Sequence, residues 1–415
     1  MKTVKKCGLL GRKLGHSYSP LIHSYLGDYE YELFEREPED VGRFMLEGEF
    51  DAINVTVPYK STVIEYLDSL SDVAKRIGAV NTIVRTEDGR LVGDNTDYYG
   101  FTYMMGRAHI DVKGKKVLVL GSGGSSLAVR AALEDMGASR IVVISRTGEN
   151  NYENVAIHSD AHVIVNTTPV GMYPKNGESP LSLDCFTELE GVADLIFNPK
   201  NTELIFRAKE KGIRCVSGLS MLVAQAKVAS ERFCSCTIPD ERIEQILSVI
   251  ERMTENIVLV GMPGSGKSTA ARLLAELLGR DTVDTDAVIV EQTGKSIPEI
   301  FALEGEEAFR AYEHRAICDT SKRSGLIIAT GGGAPTRVIN HRPMKQNGRV
   351  VYLVRDPDEL SRDGRPLSQG ADMKKMFEDR RPFYEGCADI TVEVLDTPEQ
   401  TARQIVRALG YEALK

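Results

Sequence analysis

Short apolar runs alternate with helical patterns along most of the chain. Runs such as KKVLVLG (115–121), AHVIVNT (161–167) and NIVLVG (256–261) end in glycine or a polar turn, as expected of strands buried on both faces of a parallel sheet. Two such runs lead into separate glycine-rich turns, each followed by a helical pattern. Because each turn would begin its own sheet, the pattern predicts an α/β protein with two domains.

A helical segment near the middle of the chain predicts the boundary between these domains. The stretch PDERIEQILSVIERM (239–253) has apolar residues at positions 243, 246, 247, 250 and 253, which is the spacing of an amphipathic helix. We predict that this helix closes a first domain, residues 1–253, and that a second domain covers residues 256–415. The link between them would then be very short, around Thr254 and Glu255.

Composition and charge argue against several classes of protein. A net charge of −9 disfavours a nucleic-acid partner, which would require a basic surface. No apolar run reaches the ~18 residues of a membrane span, and the N-terminus lacks the apolar region of a signal peptide. The isolated pair Cys234 and Cys236 predicts free thiols rather than a metal site. We expect a cytoplasmic protein with small-molecule substrates, and the sequence leaves its oligomeric state open.

The segment GMPGSGKST (261–269) fits the pattern G-x-x-x-x-G-K-[ST] of a loop that binds nucleoside triphosphates. Backbone N–H groups would surround the phosphates, Lys267 would reach the outer phosphates and Ser268 would join a Mg²⁺ shell. The predicted nucleotide-binding residues are Gly264, Ser265, Gly266, Lys267, Ser268 and Thr269. The loop alone fits a motor, a switch protein or a small-molecule kinase.

Residues behind this loop favour a small anionic acceptor. Asp284 and Asp286 in VDTD follow a predicted strand, so one carboxylate can serve the metal while the other accepts a hydroxyl hydrogen bond. The glycine triplet of TGGGAP (330–335) permits a close backbone approach to a ligand. Arg310, Arg365 and Arg380 imply an anionic group on the acceptor, because arginine binds carboxylates bidentately.

The motifs DTD, GEEAFR, ATGGGA, GRPLS and RRPFYEGCAD follow the loop in this order, and with them residues 256–415 resemble shikimate kinase. The resemblance implies a P-loop domain whose parallel sheet is flanked by helices. It implies a shikimate site formed by Asp286, Arg310, Gly331, Gly332, Gly333 and Arg365, with Arg380 near the nucleotide. Lys267 and Asp286 would be catalytic, and Ser268 with Asp284 would bind Mg²⁺. The lid segment LSRDGRPL is shorter than is usual in that family, and we expect its Arg362 to cover the phosphates.

A second glycine turn, GSGG (121–124), lies between a predicted strand and a helical pattern in the first half. Gly121, Gly123 and Gly124 suit a pyrophosphate cradle, although Ser126 stands at the third glycine position of G-x-G-x-x-G. The next predicted strand ends at Ser145, Arg146 and Thr147. An arginine with flanking hydroxyl groups at this place favours the 2′-phosphate of NADP over NAD.

Six further motifs, GHSYSP, NVTVPYK, GAVNTIV, GDNTDYYG, NTTPVGM and GLSMLVAQ, make most of residues 5–250 resemble shikimate dehydrogenase. The resemblance implies a substrate-binding subdomain (1–98 plus about 218–253) and a Rossmann-like NADP subdomain (about 99–217). It implies that Lys60 and Asp97 form the catalytic pair and that neither His16 nor His23 is required. The implied substrate contacts are Ser17 and Ser19 to the carboxylate, and Thr56, Asn81, Asp97 and Gln225 to the ring hydroxyls.

Two departures from this family are visible. Residues 147–161 leave little room for the usual helix and additional strand, so we predict a cofactor sheet that is trimmed at this edge. Phe197 stands where the family commonly has a tyrosine near the substrate, so one hydroxyl contact would be lost.

The sequence therefore predicts a bifunctional enzyme of the shikimate pathway. It would reduce 3-dehydroshikimate with NADPH and then phosphorylate shikimate with ATP and Mg²⁺. Two alternatives stay open. One domain could be an inert binding module, or the first half could be an NAD-dependent quinate/shikimate oxidoreductase fused to the kinase.

Overall fold

A computed structural model describes residues 5–15, 17–360 and 372–411. It divides the chain into two compact units, Met1–Ile250 and Glu251–Lys415. Among the described residues, no helix is both long and apolar enough to cross a bilayer.

The first unit contains two sheets with their helices. Its strands are β1 Lys6–Gly11, β2 Glu30–Glu35, β3 Ala52–Val55, β4 Ser69–Leu70, β5 Thr82–Arg85, β6 Leu91–Asp94, β7 Lys116–Leu120, β8 Arg140–Ile144, β9 Val163–Asn166, β10 Gly191–Asp194 and β11 Arg214–Ser217. Its helices are α1 Ser19–His23, α2 Val41–Glu47, α3 Asp72–Ile77, α4 Asp97–Arg107, α5 Gly124–Asp135, α6 Glu203–Glu210, α7 Leu219–Cys234 and α8 Glu241–Thr254. The last of these covers most of the helix predicted at 239–253, and its final residues belong to the second unit.

The two sheets of the first unit differ in how their strands pair. One has the mixed order β2-β1-β3-β5-β6-β4, in which β5 runs antiparallel to both β3 and β6. The other has the all-parallel order β11-β10-β9-β7-β8. Val117 and Val119 pack into a core on one face of β7, while Leu118 and Leu120 pack into a core on the other. Burial on both faces explains why this strand reads as a continuous apolar run.

The edge of the parallel sheet confirms the predicted trimming. β8 is the last strand in the order, and the segment between β8 and β9 contains only the short 3₁₀ turn Val155–His158. A helix and an additional strand do not fit in this segment.

The second unit is a parallel sheet with helices, which confirms the predicted P-loop architecture. Its strands, β12 Asn256–Val260, β13 Thr282–Asp284, β14 Ile327–Ala329, β15 Gly348–Val354 and β16 Ile390–Glu393, lie in the order β13-β14-β12-β15-β16. Its helices are α9 Lys267–Leu278, α10 Thr285–Thr293, α11 Ile297–Ser321, α12 His341–Gln346, α13 Met373–Cys387 and α14 Pro398–Ala408. A kink at Gly305 divides α11 into two helical parts.

The residues that join α8 to β12 are part of the second unit's packing. The Glu255 side chain is buried. It accepts a hydrogen bond from the Tyr411 hydroxyl at 2.8 Å and forms an ion pair with Arg349 at 3.2 Å. The Arg280 guanidinium donates to the main-chain carbonyls of Arg252 and Glu255 and lies over the Tyr411 ring. The predicted short link is therefore a packed and hydrogen-bonded segment.

Candidate active sites

A buried ion pair lies at the centre of the predicted catalytic residues of the first unit. The Lys60 ammonium donates to Asp97 Oδ2 at 2.6 Å, and the two side chains are only 11% and 10% exposed. Lys60 lies in the turns after β3, and Asp97 is the first residue of α4, where the helix dipole favours a carboxylate. Two groups far apart in the sequence thus form one acid–base pair in a largely dry environment.

Two predicted substrate residues surround this pair. Asn81 donates through Nδ2 to Asp97 Oδ1 at 2.9 Å and lies 3.4 Å from Gln225 Oε1. Gln225 reaches this position because α7 packs closely against α4. A Cβ on Gly100 of α4 would lie only 2.6 Å from the Met221 carbonyl oxygen, so this approach requires glycine. The structure therefore brings together Lys60, Asp97, Asn81 and Gln225.

The other predicted substrate residues make local contacts. The Ser17 hydroxyl accepts a hydrogen bond from the Ser19 N–H at 3.2 Å at the start of α1, and the Thr56 N–H donates to the Leu10 carbonyl at 2.9 Å. The described hydrogen bonds of these three residues do not reach the ion pair. Their contact with a substrate stays a prediction.

His23 and Phe197, which the sequence singled out, both pack against tyrosines. His23 is buried, stacks on Tyr31 with ring centroids 4.0 Å apart and hydrogen-bonds the Tyr29 hydroxyl. Burial lowers the pKa of His23 to about 3, so its imidazole is neutral and belongs to the core. Phe197 packs against Tyr18 with ring centroids 5.3 Å apart. His16 lies outside the described residues.

The glycine turn after β7 borders the ion pair. Gly121 has a φ of +99°, which side chains rarely adopt, and α5 begins at Gly124 with Gly123 as its N-cap. A Cβ on Gly124 would lie 3.8 Å from Lys60 Cδ. A dinucleotide whose phosphates lie at this helix N-terminus would therefore be close to Lys60.

Ser126 explains the departure from the glycine pattern. Its side chain is buried, and its hydroxyl donates to the Gly123 carbonyl at 2.6 Å. A small side chain with a satisfied hydroxyl is therefore tolerated where the pattern has glycine.

The predicted 2′-phosphate residues follow the end of β8. Arg146 and Thr147 are exposed and Ser145 is half-buried. Because β8 pairs with β7 in parallel, its carboxyl end lies at the same sheet edge as the glycine turn. An exposed guanidinium at that edge fits the 2′-phosphate of NADP.

A cavity of about 400 Å³ in the second unit contains most of the predicted kinase residues. The phosphate loop and helix N-terminus line one part of it, and Arg310 with the glycine triplet lines another. Its predicted lining residues are Gly264, Gly266, Lys267, Ser268, Thr269, Asp284, Asp286, Arg310, Gly331, Gly332, Gly333 and Arg380. Arg362 and Arg365 lie outside the described residues.

The phosphate loop has its expected internal contacts. The buried Lys267 ammonium donates to the carbonyls of Gly261 and Met262 at 3.0 and 2.9 Å. Ser268 donates its hydroxyl to Asp284 Oδ2 at 2.8 Å. A hydroxyl beside a carboxylate at a helix N-terminus is a donor set that suits Mg²⁺ with its phosphates. The Ser265 side chain is buried inside the loop.

Two carboxylates with open acceptor positions face each other across Gly331. A Cβ on Gly331 would lie 2.8 Å from both Asp286 Oδ1 and Glu313 Oε1. These two oxygens are buried, and neither has a hydrogen-bond partner among the described residues. Burial raises the pKa of Asp286 to about 6 and also raises the pKa of Glu313, and the nearby carboxylates add to the shift at Asp286. Glu313 was not predicted, although its place three residues after Arg310 on one helix was a usable signal.

The two described arginines of the cavity lie near Glu313. Arg310 is buried and donates to Glu313 at 2.8 Å and to Glu306 at 3.2 Å. Burial raises the pKa of Glu313 and of Tyr384, and the charge of the nearby Arg380 partly offsets both shifts. The Tyr384 hydroxyl donates to the Gly332 carbonyl. Arg380 lines the same cavity as the phosphate loop and the glycine triplet, and its place near the nucleotide stays a prediction.

Comparisons with known proteins agree with this division of the chain. A family model described as the shikimate dehydrogenase substrate binding domain matches residues 9–83, and one described as shikimate kinase matches residues 263–410. The shikimate dehydrogenase (NADP(+)) of Clostridium beijerinckii is 38% identical over 266 residues, which cover 59% of this chain and 97% of the relative.

Solved structures give the same result for the first part of the chain. A chorismate mutase/shikimate 5-dehydrogenase fusion protein from Clostridium acetobutylicum is 36% identical with a TM-score of 0.57, covering 60% of this chain and 98% of the other. Shikimate 5-dehydrogenase from Thermus thermophilus, solved with NADP(H) and shikimate, is 31% identical with a TM-score of 0.54, covering 59% and 99%. The chain belongs to the shikimate dehydrogenase family, and it carries a shikimate kinase domain behind its dehydrogenase part.

Proposed function

We propose that this chain is a bifunctional enzyme of the shikimate pathway. The first unit reduces 3-dehydroshikimate to shikimate with NADPH, and the second transfers the γ-phosphate of ATP to shikimate, which gives shikimate 3-phosphate. One observation carries the proposal: each unit contains a buried set of acid–base groups beside its own glycine-rich turn at a helix N-terminus.

The first unit's residues serve proton transfer and substrate orientation. Bound NADPH supplies the hydride that reduces the carbonyl carbon. The Lys60 ammonium stabilises and protonates the developing alkoxide, and Asp97 holds the ammonium in place at 2.6 Å. Asn81, which donates to Asp97, and Gln225, which lies beside Asn81, bind ring hydroxyls. Ser17 and Ser19 bind the substrate carboxylate, and Thr56 contributes a further hydroxyl.

The second unit's residues position an alcohol against the phosphate of ATP. Asp286 accepts the hydrogen of the attacking hydroxyl through Oδ1, which has no partner among the described residues. Lys267 neutralises the transferred phosphate, and Ser268 with Asp284 would hold Mg²⁺. Arg310 and Arg380 bind the acceptor's carboxylate, and Glu313 fixes Arg310.

The cofactor assignment follows from the end of β8. The exposed Arg146 favours NADPH, since the 2′-phosphate is the group that a guanidinium there would bind. Free cysteines and an acidic net charge support a cytoplasmic enzyme of small molecules, without a nucleic-acid or membrane partner.

A paired assay on one preparation tests the proposal. NADPH oxidation with 3-dehydroshikimate measures the first activity, and ADP release with shikimate and ATP measures the second. We expect both. If one half turns over nothing while its substrate still binds, that half is a binding module. If NADH gives a higher kcat/KM than NADPH, the NAD-dependent alternative replaces the first assignment.

A further inference from the structure

Asp194 is a buried carboxylate that the proposed chemistry does not use. It is the last residue of β10 and pairs in register with Asn166, the last residue of β9. Neither residue is exposed at all. Because a buried carboxylate is costly unless it is well bonded, its hydrogen bonds indicate its role.

Asp194 accepts hydrogen bonds from three separate segments. Its Oδ1 accepts from Asn166 Nδ2 at 3.0 Å and from the Ile196 N–H at 3.1 Å. Its Oδ2 accepts from the Thr202 hydroxyl at 2.7 Å, where α6 begins. One side chain therefore connects the end of β9, the segment after β10 and the start of α6.

Asn166 continues this network to the glycine turn. Its Oδ1 accepts from both the N–H and the hydroxyl of Thr168, at 3.0 and 2.7 Å. The Thr167 hydroxyl donates to the Leu120 carbonyl at 2.6 Å. A Cβ on Gly121 would lie 2.9 Å from Thr167 Oγ1 and 3.0 Å from Thr168 Cγ2. The two threonines thus form a wall of the glycine turn, and their position depends on Asn166.

The other arm of the network leads toward the substrate side. Ile196, which Asp194 binds through its N–H, immediately precedes Phe197. Phe197 packs on Tyr18, which lies between Ser17 and Ser19. Asp194 is therefore bonded to one segment that borders the cofactor turn and to another that borders the serine pair.

We propose that Asp194 is a positioning residue of the reductase site, a role that rests on the proposed reduction. It fixes the threonine wall and the Phe197 segment relative to each other, and so sets the place of the cofactor against the substrate. It touches neither of them. Replacing Asp194 should weaken NADPH binding and lower turnover more than a substitution that only reduces the stability of the protein.

The test compares substitutions in the full-length chain by titrating NADPH and following its fluorescence. Asp194→Ala should weaken NADPH binding roughly tenfold, the effect of losing one or two buried hydrogen bonds, and should lower kcat. Asp194→Asn should rescue most of the affinity, because its carbonyl can still accept from Asn166 and Ile196. Val192→Ala is the matched control, since it removes buried packing from the same strand without touching these bonds.

The outcomes separate a positioning role from a structural one. Asp194→Ala binding NADPH as tightly as Val192→Ala would overturn the proposal. If Asp194→Ala does not fold, Thr168→Val provides the same test from the other end of the network. This variant should bind NADPH about threefold more weakly. An unchanged NADPH affinity would overturn the proposal. Thermal unfolding of each variant reports whether the first unit is intact, because kinase activity reports only on the second unit. A wild type that binds NADPH without reducing 3-dehydroshikimate would contradict the proposed function, while the binding comparison would still decide the role of Asp194.

Discussion

The two candidate sites differ in how their charges are paired before a substrate binds. In the first, both oxygens of Asp97 have partners, Lys60 on one side and Asn81 on the other. In the second, Asp286 and Glu313 each keep one buried oxygen without a partner among the described residues. The ammonium of the first site is thus paired with its own counterion, whereas the second site keeps acceptor oxygens open, as the proposed binding of substrate hydroxyls requires. Unsatisfied buried acceptors cost stability, a cost that is typical of functional sites.

The largest loss of activity should come from breaking the Lys60–Asp97 ion pair. Lys60→Met removes the proton donor and leaves Asp97 without its counterion. The rate of NADPH oxidation with 3-dehydroshikimate should therefore fall by roughly 10³-fold. ADP release with shikimate should be unchanged, because the second unit is intact. Lys75→Met, at an exposed lysine, is the control and should keep both activities. Loss of both activities on Lys60→Met would contradict the two-site assignment.

The corresponding change in the second unit is Lys267→Ala. Loss of this ammonium should lower phosphoryl transfer by about 10²- to 10³-fold, the usual effect of removing one preorganised electrostatic group. NADPH oxidation should stay at the wild-type rate. Arg272→Ala on the same helix changes an exposed residue and should leave both rates alone. A kinase rate equal to wild type would show that Lys267 is not used.

A smaller effect, on stability and on its pH dependence, should show how much the unpartnered oxygen of Asp286 destabilises the second unit. The pKa of Asp286 is raised to about 6 from an ordinary 3.8, so kinase kcat/KM should fall as pH drops through about 6 and the carboxyl becomes protonated. The raised pKa also means that stability present below pH 3.8 is lost as pH rises through about 6. Asp286→Asn should therefore raise Tm more at pH 8 than at pH 5. Equal Tm shifts at the two pH values would refute the interpretation.

The smallest effect concerns cofactor choice in the first unit. Arg146→Ala should reduce the preference for NADPH over NADH roughly tenfold, as expected from the loss of one charge-assisted contact. Its kcat with NADPH at saturation should change little, because no hydrogen bond or ion pair among the described residues joins Arg146 to Lys60 or Asp97. Arg140→Ala, at an exposed arginine that begins β8, is the control. An unchanged preference would remove Arg146 from the cofactor site.

The sequence predicted the fold well because both glycine turns follow strong strand patterns. It also predicted the trimmed sheet, since the length of 147–161 limits what the segment can contain. The approach of Gln225 to Asn81 was implied only by resemblance, because it depends on the contact that Gly100 permits between α4 and α7. The network around Asp194 was missed for the same reason: its partners come from separate segments, and no local spacing connects them.

The packed junction around Glu255 has a consequence for anyone who would separate the two halves. A kinase fragment that begins at residue 256, where the resemblance begins, would leave Tyr411 and Arg349 without their shared carboxylate and Arg280 without two carbonyl acceptors. A fragment that begins at 251 would keep them. The second unit therefore begins within α8, at residue 251, upstream of the point where the resemblance to shikimate kinase begins.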